Sequence, residues 1–449
     1  MSSILTNNSA MVALQTLKSI NMNLGKVQSE ISTGKTVESA KDNASVWAIS
    51  KVMSSDVKGF EAISDSLALG QSTVGVALNA SESITDLLQE IKGKIVASQE
   101  ENVDRGKIQD DVVALRDQIA SIAGAAQFNG LNLIKTESVN TGATNTIAEQ
   151  LENAEAGEVN ILSSLDRSSS GVTSTSIGLD KQSLDTGAQT VGTVAASATT
   201  IDATEALTAN TATIADGATE NFGINGDITA ADRQANRVIA GDTYEIQASF
   251  FGKLSAAIGT DITDDIAYVA KAGDTTADIA SGLATRVNMA LAEAGYENDF
   301  AAGFIANADG TAEFTITNNS GAAGAAAFAG TDMVVTSGGT AGGGLDLLTD
   351  IDVSTEGGAK AALVAVESLI QNSIDSAAVL GSSAGRIETQ ADFVSKLTDR
   401  LTSGIGSLVD ADMEAASAKL QALQTQQQLG VQALSIANQA PQTILSLFR

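Results

Sequence analysis

A stripe of apolar residues near the start of the chain limits, more than any other feature, what the chain can fold into. Its members recur every three or four residues, which places them on one side of a helix: Ala10, Ala13, Leu17, Ile20, Leu24, Val27 and Ile31. A stripe this long needs a second helix to cover it, because helix propensity alone does not hold such a helix in water. We therefore predict that the first 34 residues form a helix that pairs with another part of the chain.

The best partner for this stripe lies at the other end of the chain. A second run with the same spacing begins after Asp412 and is interrupted at Gln427 and Gly430. Its apolar members are Met413, Ala416, Leu420, Leu423, Val431 and Leu434. We predict that the two terminal helices form one apolar seam, and that the helices bundle first within the chain and then with copies of it.

Three more stretches keep this spacing. They run from Phe60 to Ile95, from Ile108 to Ile122 and from Leu363 to Leu408. We predict a helix over each of them. The segment from Lys35 to Ser50 has no continuous stripe, and we predict a loop or irregular turn there.

The middle of the chain, between residues 129 and 355, is rich in Thr, Ala, Gly, Ser and Asp. Alternating runs such as Tyr244–Phe250 and Phe314–Ile316 are typical of strands, and Asp274–Ala294 indicates one helix. The glycine-rich run Gly338–Gly344 predicts a linker. We therefore expect an α+β protein, in which the N- and C-terminal ends form a long helical bundle and a β-rich surface domain is inserted between them.

The charge of the chain excludes several classes of partner. The net charge is −29, and residues 136–355 alone hold 30 acidic and 7 basic residues. Nucleic acids and anionic membranes need a basic surface, so we expect neither as a partner. No apolar stretch approaches the ~20 residues that span a bilayer, so we expect no membrane insertion.

The residue types that common catalytic and metal sites need are missing. The sequence has no Cys and no His. This removes the thiolate, the most frequent general base and the most frequent metal ligand. We therefore expect no enzyme activity, no bound metal and no cofactor.

Short motifs at both ends of the chain resemble one protein family. They are Asn7–Gln15, then Ser39–Ala44 with Lys41 and Asp42, then Gln127, Phe128, Asn129 and Gly130, and finally Asn438, Gln439, Pro441 and Gln442. Together they resemble bacterial flagellin over about residues 1–135 and 360–449. The combination of both ends is more specific than either end alone.

The resemblance implies a structural subunit that assembles with itself into the helical flagellar filament used for swimming. It implies an inner coiled-coil layer from residues 1–44 and 411–449, a helical middle layer with β elements from 45–180 and 358–410, and a surface-exposed variable domain at 181–357. It also implies secretion through the flagellar type III export apparatus to the outside of the cell. A chaperone, cap and junction proteins are further partners that the family implies.

One segment departs from the pattern of the family. Leu88–Gln99 aligns with the part of many flagellins that an innate immune receptor, Toll-like receptor 5, recognises. That part usually carries Arg at the position of Glu90, and Glu and Leu at the positions of Gly93 and Lys94. We therefore expect only a weak contact with this receptor.

Two other interpretations stay open at this point. A hook–filament junction protein also has flagellin-like ends, although the match at Pro441 and Gln442 favours flagellin. A coiled-coil surface adhesin usually carries its head domain at one end of the chain. In this chain, by contrast, the predicted helices at the two ends pair with each other and the β-rich region lies between them.

Overall fold

The computed structural model describes residues 7–135, 158–168, 171–192, 214–224, 238, 240–271, 274–307, 310–328, 332–336 and 338–446. Long helices occupy both ends of the chain, and strands lie between them. This order confirms the predicted α+β class.

The helices differ widely in length. They are α1 (Asn8–Thr33), α2 (Ala44–Ser98), α3 (Arg105–Ala125), α4 (Ala248–Leu254), α5 (Ile258–Asp261), α6 (Thr276–Glu293), α7 (Glu356–Val409) and α8 (Met413–Ser446), with a 3₁₀ turn at Asp346–Thr349. One described helix, α7, is long and apolar enough to cross a membrane when only length and composition are considered. Many core helices of soluble proteins meet the same two criteria.

The strands form small sheets. They are β1 (Gln127–Phe128), β2 (Leu131–Asn132), β3 (Glu158–Ser168), β4 (Gly171–Asp180), β5 (Thr219–Ile224), β6 (Thr243–Ile246), β7 (Ile266–Val269), β8 (Phe300–Ala306), β9 (Ala312–Asn318) and β10 (Met333–Thr336). Strand β1 pairs with β2, and β3 with β4. Two antiparallel sheets have the strand orders β10-β6-β7 and β5-β9-β8.

The chain divides into two compact units. The first contains residues 1–66, 164–175 and 390–449, and therefore includes α1 and α8. The second contains residues 67–163 and 176–389, and includes both three-stranded sheets. The three-layer division implied by the family resemblance stays a prediction.

In the second unit, α2 and α7 pack along each other. The hydroxyl oxygens of Thr85 and Ser373 lie 2.8 Å apart where the two helices meet. The stripe predicted on α2 is buried there, with Ile84 and Leu88 fully covered, and α7 buries Leu380. A few paired hydroxyl groups thus lie among apolar side chains at this contact.

The second unit also holds an aromatic core. Helix α6 packs against β7, β8 and β9. The rings of Phe222, Phe250, Phe314 and Phe328 lie nearby, with neighbouring centroids between 4.7 and 6.3 Å apart. Edge-to-face and tilted ring contacts at such distances stabilise a core beyond the area they bury.

The strand predicted over Tyr244–Phe250 is correct only in its first part, because helix α4 begins at Ala248. Phe250, Phe251 and Leu254 share one side of this helix, and all three are buried. Burial of three large apolar side chains on one helical face outweighs the local alternation.

The predicted linker at Gly338–Gly344 is instead a tightly packed crossing. Thr190 and Thr340 exchange two backbone hydrogen bonds, each of 2.8 Å. A Cβ atom on Gly343 or Gly344 would collide with a backbone carbonyl of the opposing segment. The glycines therefore allow two backbones to approach closely, which a side chain would prevent.

Helix α2 begins inside the predicted loop Lys35–Ser50, at Ala44. The side-chain oxygen of Asn43 accepts a hydrogen bond from the amide of Val46 (3.2 Å). This is the bonding of a helix N-cap. The cap starts the helix several turns before the long apolar stripe of α2 becomes continuous.

Candidate assembly surface

The two terminal helices of the chain pair with each other. Asn7 caps α1, because its side-chain oxygen accepts from the Ala10 amide (3.1 Å). The side-chain amide of Asn7 also donates to the carbonyl of Ala437 on α8 (2.8 Å). Near the other end of the pair, the Ala411 amide donates to the carbonyl of Gly34 (2.9 Å). The two helices are therefore antiparallel.

The turn after α1 and the turn before α8 are also joined. Gly34 ends α1 in the left-handed conformation (φ +69°), which glycine adopts without strain. Lys35 and Asp410 form an antiparallel β-bridge. Thr36 donates its amide and its hydroxyl to the carbonyl of Val409, at 2.7 and 3.0 Å. These bonds set the register in which α1 and α8 meet.

The predicted stripe of α1 faces α8. Its members are all buried or half-buried, whereas the residues between them are exposed except for half-buried Glu30. Val27 forms the centre of an apolar cluster with Ala416 and Leu423 of α8. Ile20, Leu24, Ile31 and Leu420 pack around this cluster. We call this contact between α1 and α8 the inner seam.

On α8 the inner seam includes two positions that the sequence suggested were interruptions. Gln427 donates from Nε2 to Oδ1 of Asn21 across the pair (2.8 Å). Gly430 faces α1, where an added Cβ atom would lie 3.2 Å from Cδ1 of Leu17. The polar pair and the small residue continue the seam instead of breaking it.

Two residues assigned to the seam lie beside it. Met413 and Val431 are both exposed in this pair. Because a helix has about 3.6 residues per turn, the side of α8 that begins with Ala416 and Leu423 continues to Gly430 and Leu434. Leu434 is half-buried on this side.

The opposite side of each terminal helix carries a second apolar stripe. Its members are Met11, Leu14 and Met22 on α1, and Ala418, Ala422, Leu429, Ala433 and Ile436 on α8; all are exposed. Met11, Met22, Leu429 and Ile436 are 61, 62, 58 and 69% exposed. We call these stripes the outer seams of α1 and α8. Sequence reasoning missed them, although a second register of the three-and-four spacing on α8 would have found one of them.

The signature residues near the first turn are exposed. Lys41 and Asp42 both lie at the surface. The carboxylate of Asp42 accepts from the amide and the hydroxyl of Ser39, both at 3.0 Å. These hydrogen bonds, the backbone one first, lower the pKa of Asp42. The pair closes the turn that leads into α2.

The signature at Gln127, Phe128, Asn129 and Gly130 forms a β-hairpin. Gln127 and Phe128 make up β1, and the chain turns at Asn129 (φ +51°) and Gly130 (φ +83°). Two positive φ angles in a row are the geometry that Asn-Gly favours in a two-residue hairpin. The motif therefore has a structural reason, which is the turn of this hairpin.

The C-terminal signature lies within α8. Asn438 and Gln439 are exposed. Pro441 and Gln442 belong to the same helix, and their side chains lie outside the described residues.

The segment aligned with the receptor site lies on α2. Glu90 and Gly93 are exposed. Lys94 donates from Nζ to the carboxylate of Asp111 on α3 (2.5 Å), and this hydrogen bond raises the pKa of Lys94. In the part of the chain that the structure describes, no group of three or more His, Cys, Asp or Glu residues is placed to hold a metal ion.

Paired terminal helices, with apolar seams facing away from the pair, are typical of a structural subunit. Residues 4–141 match the bacterial flagellin N-terminal helical region, and residues 363–448 match the bacterial flagellin C-terminal helical region. The chain is 34% identical to Flagellin A and 33% identical to Flagellin B of Rhizobium meliloti, over the full length of all these chains. The chain belongs to the bacterial flagellin family.

The chain is less similar to solved structures than to these relatives. FliC from Burkholderia pseudomallei is 15% identical and covers 71% of this chain and 99% of its own, with a TM-score of 0.29.

Family membership confirms the function expected from the sequence. The chain is a structural subunit of the bacterial flagellar filament, and it is secreted to the extracellular filament. Neither the junction protein nor the adhesin is better supported by these matches.

Proposed function

We propose that copies of this chain join in the filament through the outer seams of α1 and α8. The inner seam then holds the two ends of one copy together. The observation that carries this proposal is the exposure of large apolar side chains on the side of each helix that faces away from its partner. A soluble chain rarely leaves such a stripe in water without a use for it.

The free energy gained by burying apolar side chains favours this arrangement. Fully burying a Leu, Ile or Met side chain contributes about 1.5–3 kcal/mol. The outer seams carry Met11, Leu14, Met22, Leu429 and Ile436. Their burial between neighbours offsets part of the entropy lost when a subunit joins the polymer.

The two outer seams differ in a way that supports contact between unlike surfaces. The stripe on α1 consists of long side chains, whereas the stripe on α8 includes Ala418, Ala422 and Ala433. Large side chains fit against small ones, as in helix packing generally. A contact between unlike surfaces of successive copies produces an open helical filament when the rotation from one copy to the next does not close into a ring. Such a filament, rotated at its base, can drive swimming.

The outer seam can be tested by placing a charge on it. We expect Leu429→Asp and Ile436→Asp to raise the critical concentration for polymerisation by more than about 100-fold, because a carboxylate would be buried without a partner. Circular dichroism of the free subunit should stay the same, since both side chains are already exposed in the pair.

Gln428→Asp is the matched control. It adds the same charge to the neighbouring exposed position, which lies on neither seam. Seeded growth is followed by light scattering and electron microscopy. Normal growth of the Leu429→Asp subunit would remove the outer seam from the assembly surface.

We also propose the remaining partners that the family implies. These are the type III export apparatus, a chaperone, the cap and junction proteins, and a weak contact with Toll-like receptor 5. The layered arrangement of residues 1–44 and 411–449, 45–180 and 358–410, and 181–357 belongs to the same proposal. It is supported by family membership and by the strong negative charge of the middle region, which keeps an outward-facing surface solvated. The role is structural, without catalysis.

A further inference from the structure

Methionine is the residue most sensitive to oxidation in this chain. The sequence has no Cys and seven Met residues, so no thiol competes for an oxidant. Among the described residues, Met333 is buried, Met53 and Met289 are half-buried, and Met11, Met22 and Met413 are exposed. The exposed ones all lie on the terminal helix pair.

Two of these residues stand on the outer seam of α1. Met11 and Met22 are 11 positions apart, about three helical turns, so they point to the same side. Both lie on the side of α1 that faces away from the inner seam, and each is more than 60% exposed. An oxidant in solution therefore reaches both sulfur atoms in a free subunit.

We propose that Met11 and Met22 are oxidation sites that control whether a subunit can join the filament. The thioether sulfur takes one oxygen atom from a peroxide. The O–O bond breaks, an S=O bond forms, the sulfur loses two electrons and the peroxide leaves as water or an alcohol. The inference rests on the proposed role of the outer seams.

The sulfoxide changes the seam because it is polar. A Met side chain adapts to an apolar contact, whereas its sulfoxide needs a hydrogen-bond donor when it is buried. The outer seam of α8 offers mainly Ala, Leu and Ile side chains. A subunit oxidised at Met11 and Met22 thus loses apolar contact and buries an unpaired polar group.

Burial then protects the same residues in the polymer. Once a neighbour covers the outer seam, the sulfur atoms are shielded from solvent. The device therefore acts on subunits before they join, when methionine sulfoxide reductases can still reverse the change.

The first arm of the test locates the sites. Free subunits and finished filaments are treated with dilute hydrogen peroxide, and peptides are mapped by mass spectrometry for gains of about 16 Da per sulfoxide. We expect Met11 and Met22 to oxidise at least about tenfold more slowly in filaments than in free subunits. Equal rates would overturn both this inference and the proposed role of the outer seam of α1.

The second arm measures incorporation. Oxidised subunits are added to unoxidised filament seeds, and each growth rate is divided by the rate of the same variant before oxidation. We expect a drop of about tenfold or more for the unchanged chain, and recovery after treatment with both sulfoxide reductases. In the Met11→Leu/Met22→Leu variant the drop should disappear.

Met289→Leu is the matched control, and its drop should equal that of the unchanged chain. If Met11 and Met22 are protected in filaments but their oxidation leaves growth unchanged, the inference fails while the proposed role of the outer seams stands. A drop that persists in the Met11→Leu/Met22→Leu variant would also overturn it.

Discussion

At the scale of single residues, three positions on α2 set the expected response of Toll-like receptor 5. Glu90 and Gly93 are exposed, and Lys94 is held by Asp111. Replacing all three with the residues usual in the family, Glu90→Arg, Gly93→Glu and Lys94→Leu, should raise activation in a receptor reporter assay, by about tenfold or more if the contact contributes at least about 1.4 kcal/mol. The reason is that the three replacements restore the side chains that the receptor-recognised segment usually carries: arginine in place of Glu90, glutamate in place of Gly93 and leucine in place of Lys94.

Glu82→Arg is the control for the change of charge, since Glu82 is also exposed on α2 but lies outside the aligned segment. Circular dichroism checks that the helices persist. Full potency of the unchanged chain at ordinary flagellin doses would contradict the expectation.

The spacing of apolar residues predicted which side of α1 faces α8, but it did not predict the individual contacts along the inner seam. The stripe from Ala10 to Ile31 faces α8 because apolar spacing directly reports which side of a helix needs cover. The spacing already puts Gln427 and Gly430 on this side of α8, but their residue types suggested that they interrupt the seam. How they fit there depends on a hydrogen bond to Asn21 and on the close approach of Leu17, which only the partner helix supplies.

At the scale of elements, the inner seam and the outer seams should fail differently. Leu17→Asp or Leu420→Asp places a carboxylate inside the contact between α1 and α8, where it has no partner. We expect the terminal pair to open, with loss of helical signal in the free subunit and loss of filaments by electron microscopy. The aromatic core of the second unit should keep its near-ultraviolet signal.

Asn23→Asp serves as the control, because Asn23 is exposed on α1 and lies on neither seam. The comparison with Leu429→Asp separates the two surfaces, since that variant should keep its helices and lose only polymerisation. Filaments of normal length from the Leu17→Asp chain would show that the inner seam is dispensable.

Element types were predictable wherever a pattern ran for many turns. The apolar stripes of α2 and α7 keep the helical spacing over so many residues that a strand or a loop does not fit the pattern. Short elements were harder. Helix α4 occupies the end of an alternating run because its three buried side chains pack into a core formed by strands that are distant in the sequence. The local sequence pattern does not contain this contact, so it could not predict the helix.

At the scale of the whole molecule, the inserted domain should be removable at one defined place. Thr190 and Thr340 already exchange two backbone hydrogen bonds, so residues 191–339 can be replaced by an Asn-Gly turn that suits such a pair. The described members of the aromatic core all lie within the deleted range, so no half of that core is left exposed. The deletion does remove Arg286, which pairs with buried Asp346, and the shortened chain should therefore also carry Asp346→Asn to avoid an unpaired buried charge.

We expect this shortened chain to form filaments, with a critical concentration within about tenfold of the full chain, since both seams remain. Electron microscopy and sedimentation measure this directly. The matched control is the same deletion combined with Leu429→Asp, which should not polymerise. If the shortened chain keeps the helical spectrum of its terminal pair but forms no filaments, the inserted domain takes part in assembly and the seams alone do not suffice.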